Sequence, residues 1–215
     1  MKIKLKIPES LSEIKLWQYQ KFLKIQEENT DEKFLASKML EIFCEAELKE
    51  TFFMKMKDIA KVSKIINKIF EEKPTLIREF KMNETNYGFI PNLDEMTLGE
   101  YIDLDTYISD WQQMEKAMAV LYRPIELKLR DKYKIVEYTA IGQEKMKQMP
   151  LDVVFSSILF FYHLGIDLSR VMMSYSVETP ISSQPSDNFL ISGDGMLAFT
   201  DSLKAILDDL KISLN

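Results

Sequence analysis

Residues 87–124 read YGFIPNLDEMTLGEYIDLDTYISDWQQMEKAMAVLYRP. Within this stretch Thr97 is followed three residues later by Glu100. A threonine and a glutamate at that spacing form a capping box, in which each side chain bonds a backbone N–H of the other residue and thereby starts a helix. We therefore predict a short helix over 97–104 and a longer one over 109–122, which ends because Pro124 follows.

Upstream of this stretch the apolar residues recur at every second position. IREFKM and NYGFI surround turn-forming residues, which predicts a β-hairpin near 76–92. Gly88, between two aromatic residues, marks a bulge or a close approach of another group to the backbone. KIKLKI, residues 2–7, alternates lysine with apolar residues and is typical of an edge strand, so we expect it to complete a small antiparallel sheet.

The remaining sequence before residue 173 is dominated by helical periodicity. Apolar residues at helical spacing predict helices over 11–26, with Ser10 and Glu13 as a capping box, over 32–45 and over 56–72. A row of lysines on the third helix is typical of a solvated face, with a stripe that binds phosphate or acidic protein as the alternative. Residues 151–172 are apolar nearly all round, which predicts a helix at the centre of a bundle or one buried by a partner.

Beyond Met173 the composition shifts to serine, proline, glycine and aspartate with short apolar islands. We predict an extended arm over 174–215 that ends in an amphipathic helix over 199–214. The arm either reaches a neighbouring subunit or returns its helix to the same core. The predicted fold is thus mainly α (α+β): a helical core domain over 1–173 with a β-hairpin, and this C-terminal arm.

Composition and charge exclude several classes of function. The chain of 215 residues has 28 basic and 34 acidic residues, a net charge of −6, and its basic residues are not concentrated as nucleic-acid binding requires. Its single cysteine, Cys44, lies on an apolar helical face and is predicted to be a buried, inert thiol. The N-terminal residues do not resemble a signal peptide, and the longest apolar stretch is too short to span a bilayer. We expect a soluble protein.

No residue pattern indicates catalysis. His163, the only histidine, lies between Tyr162 and Leu164 and is predicted to be a core or boundary residue. Asp103 and Asp105 are the best candidates for a metal site, but the spacing of a calcium loop is absent and capping or surface roles are favoured. Glycine spacings typical of nucleotide-binding loops are also absent. We therefore predict no catalytic, cofactor-binding or metal-binding residues.

Residues 87–125, together with MPLDVVFSSILFFYHL at 149–164, resemble small virion-associated proteins of the crAss-like tailed bacteriophages. The resemblance extends over about residues 76–170, and it is to proteins of the portal-vertex or head–tail region. It implies a non-enzymatic protein located in the virion, and in the cytoplasm of the bacterial host during assembly. An assembly chaperone of the tail or capsid, absent from the mature particle, is the alternative.

The resemblance also implies partners, which are phage portal or major capsid proteins and further copies of this chain. Aromatic and apolar residues, and acidic residues that are not needed for capping, are the candidates for such contacts. The predicted contact residues are Tyr87, Phe89, Glu95, Asp103, Asp105, Phe189, Leu190, Leu203, Ile206, Leu207 and Leu210. Neither a membrane nor a nucleic acid is expected as a partner.

Overall fold

The computed structural model describes residues 5–178 and Lys204. Seven α-helices and four strands lie in residues 5–178, and short 3₁₀ turns connect several of them. In chain order they are α1 Leu16–Glu28, α2 Glu32–Phe43, α3 Leu48–Phe53, α4 Met56–Phe70, β1 Glu79–Met82, β2 Thr85–Phe89, α5 Leu98–Ile108, α6 Met114–Leu121, β3 Tyr122–Leu129, β4 Lys132–Ile135 and α7 Leu151–Glu178. The predicted class, mainly helical with a small antiparallel sheet, is confirmed.

The first helix begins at Leu16, so the predicted start near residue 11 is wrong. Residues 14–15 are extended because they pair with the chain just before α7: Leu16 N donates to Met149 O at 2.9 Å, and Leu151 N donates to Ile14 O at 2.9 Å. The predicted capping box is also absent, since the Ser10 hydroxyl lies 2.7 Å from that of Ser12 instead of accepting from a helix N–H.

The sheet has the strand order β1-β2-β3-β4, with every neighbouring pair antiparallel. The predicted hairpin is confirmed as β1 and β2, and both residues of its turn, Asn83 and Glu84, have positive φ values of 47° and 64°, as a type I′ turn requires. The predicted N-terminal strand is wrong for residues 5–7, which form no strand but contribute Leu5 and Ile7 to the edge of the core. Residues 2–4 lie outside the described part of the chain.

Two further strands, β3 and β4, complete the sheet. Strand β3 begins at Tyr122, where the sequence predicts the end of a helix, and β4 pairs with it. Pro124 therefore lies inside a strand: its carbonyl accepts from Val136 N at 3.0 Å, and the register shifts between Ile125 and Leu127 directly after it. This irregularity accommodates a residue that has no N–H to donate.

Gly88 is a position of close approach, as predicted. A Cβ atom there would lie 2.5 Å from Cε2 and 2.9 Å from Cδ2 of the Tyr133 ring, which covers β2 from β4. The Tyr133 hydroxyl donates to Phe89 O at 2.8 Å. This hydrogen bond fixes the ring. The absence of a side chain at Gly88 therefore lets the Tyr133 ring of β4 lie against β2.

Helix α7 is central, one of the two arrangements predicted for it. Its first three turns are buried almost all round, and Ser156 and Ser157 satisfy their hydroxyls within the helix by donating to Val153 O and Val154 O, each at 2.8 Å. The helix continues to Glu178 and so includes the first five residues, 174–178, of the predicted arm. The rest of that arm, with its predicted contact residues, lies outside the described residues: Phe189, Leu190, Leu203, Ile206, Leu207 and Leu210.

The core continues through α1, α2 and α6. The Tyr19 ring packs edge-on against Trp111 and Phe155, with centroids 4.9 and 5.6 Å away. Cys44 is 2% exposed, so its predicted burial is confirmed, and burial raises the pKa of its thiol to about 11, which disfavours the reactive thiolate. The packing leaves α5 and α3 at the periphery, where each presents one side to solvent.

Candidate interaction surfaces

Helix α5 is held in place by the capping box that the sequence predicts. Thr97 N and Oγ1 donate to Glu100 Oε2 at 2.7 and 2.8 Å, and Glu100 N donates back to Thr97 Oγ1 at 3.3 Å. The other carboxylate oxygen, Oε1, lies 2.8 Å from Nη1 of Arg123 on β3. One carboxylate therefore both starts the helix and fastens it to the sheet.

The Glu100–Arg123 ion pair is largely removed from solvent, with side-chain exposures of 6% and 13%. Burial lowers the pKa of Arg123, and the charge of Glu100 opposes that effect. Sequence reasoning missed this pair, because it assigned the arginine to the end of a helix. The one available signal was the excess of acidic residues over 81–110 beside a basic segment over 111–149.

A second polar contact fastens the middle of α5. Tyr138 donates its hydroxyl to Asp103 Oδ2 at 2.7 Å, and Gln143 Nε2 donates to the Tyr138 oxygen at 3.0 Å. Burial, followed by this hydrogen bond and the charge of Asp103, raises the pKa of Tyr138. Asp103, predicted as a contact residue, is thus half-buried and engaged within the chain.

The side of α5 that faces away from these anchors is exposed and apolar. Leu98, Tyr101 and Ile102 have 75%, 50% and 53% of their surface in solvent. Positions three and four apart in a helix share one side, so the three side chains form a continuous patch. Predicted contact residues Glu95 and Asp105 are exposed next to it. We call this surface the acidic face; its members are Leu98, Tyr101 and Ile102 with Asp94, Glu95 and Asp105.

A second exposed apolar surface lies on α3 and the start of α4. Phe52, Phe53 and Met56 are 83%, 68% and 53% exposed, and the two phenyl rings meet edge to face with centroids 5.6 Å apart. Exposed lysines lie around them and continue along α4. The row of lysines predicted on this helix is thus exposed to solvent. We call this surface the lysine face; its members are Phe52, Phe53 and Met56 with Lys49, Lys55, Lys57, Lys61 and Lys64.

Two predicted contact residues are not on any surface. Tyr87 and Phe89 are 7% and 2% exposed, because β2 turns them toward the core. Tyr87 stacks on Phe80 with centroids 5.4 Å apart, and the Phe89 ring meets the Tyr122 ring at 5.2 Å. Their prediction as contact residues is therefore wrong: on this fold they are packing residues of the sheet.

A cleft between residues 73–76 and α7 has a volume of about 640 Å³. His163 is exposed at its lining, so the prediction of a core or boundary position is wrong: the residue lies on the outer side of α7, beside Tyr162. Ser156, at the inner wall, accepts a hydrogen bond from Ile77 N at 3.2 Å. Its hydroxyl is thereby used in fixing the chain that enters β1.

Within 5–178 no three or more His, Cys, Asp or Glu side chains come together as a metal ion would require. None of the helices in the described part of the chain has the length and apolar character to cross a membrane. No family model, curated protein or solved structure matches this chain. The exposed faces on α5 and on α3–α4 are therefore the features from which a function is inferred.

Proposed function

We propose that this chain is a non-enzymatic protein that works by binding other proteins, and that it is a virion-associated protein of a tailed bacteriophage. It would bind portal or capsid subunits and further copies of itself at the portal vertex or head–tail junction, as the resemblance of residues 76–170 implies. The observation that supports a contact function is the exposed apolar patch of Leu98, Tyr101 and Ile102. Contiguous apolar side chains on a surface, surrounded by polar residues, are typical of protein interfaces.

The construction of α5 supports the same proposal. Its inner side is fastened by the Glu100–Arg123 ion pair and the Asp103–Tyr138 hydrogen bond. An interface side chain contributes most when its backbone is already ordered, since little conformational entropy is then lost on binding. Tyr101 in particular offers a large apolar area together with a hydroxyl, a combination enriched at interfaces.

The test is incorporation into particles. Mass spectrometry of purified virions should detect the wild-type chain, and the double variant Leu98→Gln/Ile102→Gln should be lost from particles while remaining in the infected-cell lysate. Ile141→Gln is the matched control, because Ile141 is 88% exposed and lies outside both faces; this variant should be incorporated normally.

Two results would overturn parts of the proposal. If the wild-type chain is abundant in lysates but missing from purified particles, the assembly-chaperone alternative replaces the virion role. If the double variant is incorporated as well as the wild type, the acidic face is not the surface that binds the particle.

A further inference from the structure

We infer that the acidic face of one copy of this chain binds the lysine face of a second copy. The inference rests on the proposed contact function and names a partner for it. Both faces are exposed in the same chain, so neither covers the other. Each combines three large apolar side chains with an excess of one charge, and the two signs are opposite.

The charges are strongly segregated. Residues 94–110 contain six acidic and no basic residues, and only Glu100 among them is neutralised by a buried arginine. Residues 49–68 contain six lysines and two acidic residues, a net charge of +4. Opposite potentials on two surfaces steer them together and fix their relative orientation.

The apolar parts of the two faces are also suited to each other. Aromatic residues and methionine are enriched at the centres of protein interfaces, where they exclude water. On the acidic face Tyr101 is the aromatic residue. On the lysine face the aromatic residues are Phe52 and Phe53, and Met56 is the methionine. The charged side chains lie around these residues, at the positions where an interface has its polar rim.

Charge also excludes the symmetric alternatives. Two acidic faces placed together would bring Asp94, Glu95 and Asp105 against their own copies, and two lysine faces would do the same with lysines. Such like-charge contacts are unfavourable. The contact must therefore join unlike faces. Such a contact forms a two-fold dimer if both faces of one copy can meet the same partner, and it otherwise repeats into a closed ring or an open filament.

The experiment uses the full chain and sedimentation velocity over a range of protein and salt concentrations. The wild type should associate as its concentration rises, and added salt should weaken the association because the charges are exposed. Two variants each remove one face: Leu98→Gln/Ile102→Gln on the acidic face and Phe52→Gln/Phe53→Gln on the lysine face. Each alone should associate at least about tenfold more weakly, as expected for loss of central apolar residues.

Mixing the two variants distinguishes a contact between the acidic face and the lysine face from any other mode of self-association. In an equimolar mixture, the intact lysine face of the first variant can bind the intact acidic face of the second, but no further copy can add. A heterodimer that does not grow is therefore expected. Circular dichroism of each variant verifies its fold, and Ile141→Gln should associate like the wild type.

Three outcomes would overturn the inference: a wild type that stays monomeric at every concentration, variants that associate like the wild type, or an equimolar mixture that stays monomeric while the wild type associates. The first outcome, a monomeric wild type, is expected if residues 179–215 cover these faces or if the faces bind a different protein instead of a second copy. Each of these leaves the virion role to be decided by mass spectrometry of particles. Conversely, a chain that self-associates as expected but is missing from particles would contradict the proposed function alone.

Discussion

Substituting Glu100 by glutamine tests how α5 is fastened to the sheet. Glutamine keeps an oxygen that can accept from Thr97 N, but it removes the charge that pairs with Arg123 at 2.8 Å. The guanidinium, 13% exposed and with its Nε buried without a hydrogen-bond partner, then lacks a counter-charge. Removing one partner of a buried ion pair costs about 3–5 kcal/mol. We expect a loss near the lower value, about 3 kcal/mol, because the capping contact is retained.

A double-mutant cycle separates the pair from the cap. Arg123→Met alone leaves the Glu100 carboxylate buried but still bonded by Thr97, and the double variant leaves no unpaired charge. The free energies of unfolding, measured by urea titration with far-UV circular dichroism, should therefore be non-additive. We expect the double variant to lose less free energy of unfolding than the two single variants lose together. The difference should be at least about 1.5 kcal/mol.

The matched control is an exposed ion pair of the same sheet. Lys134 Nζ lies 3.2 Å from Glu126 Oε2, with side-chain exposures of 72% and 57%. Glu126→Gln should change the free energy of unfolding by no more than about 0.5 kcal/mol, since solvent screens such pairs. If Glu100→Gln costs no more than this control, or if the cycle is additive, the buried pair does not stabilise the fold as described.

Two further predictions concern the sheet and the core. Gly88→Ala should lower the free energy of unfolding by about 1–3 kcal/mol, because its Cβ would lie 2.5 Å from the Tyr133 ring. The control Gly99→Ala should not lower it, because a Cβ there would have nothing within 4 Å. Equal losses in the two variants, measured by urea titration, would contradict the close approach at Gly88. Burial raises the pKa of the Cys44 thiol from 9.0 to about 11. The unfolded chain therefore loses the thiol proton at a lower pH than the folded chain, and the free energy of unfolding should fall as the pH rises from 9.0 to about 11. The same fall in Cys44→Ala, measured by urea titration across that pH range, would show that another group causes it.

Local patterns in the sequence predicted the elements that are stabilised locally. The Thr97–Glu100 capping box is a contact between residues three apart, and the turn at Asn83 and Glu84 is set by its two residues. The exposed lysines of α4 follow from helical periodicity alone. In each case the stabilising partners lie within one turn of the chain, so the sequence pattern contains them.

Apart from the absent Ser10–Glu13 capping box, the main errors concern contacts between residues far apart in the chain. A helical pattern continues through Leu121, and nothing nearby signals that Tyr122 pairs with Phe89 and starts a strand. The same pairing buries Phe89, whose type is equally suited to a core or to an interface. Arg123 lies near Glu100 only because β3 pairs with strand β2 of the hairpin. Distance in the sequence therefore marks the limit of what the residue pattern predicts.

The pairing of residues 14–16 with 149–151 also has a consequence for synthesis of the chain. The two hydrogen bonds between them close a loop of about 135 residues, a closure that costs entropy and favours late formation. On the ribosome residues 14–16 emerge before residues 149–151, which at about 5–20 residues per second follow on the order of 10 s later. Until then Leu11, Ile14 and Leu16, each buried in the final fold, remain without their native cover on the nascent chain. Residues 11–16 are thus made well before the residues that give them their native contacts.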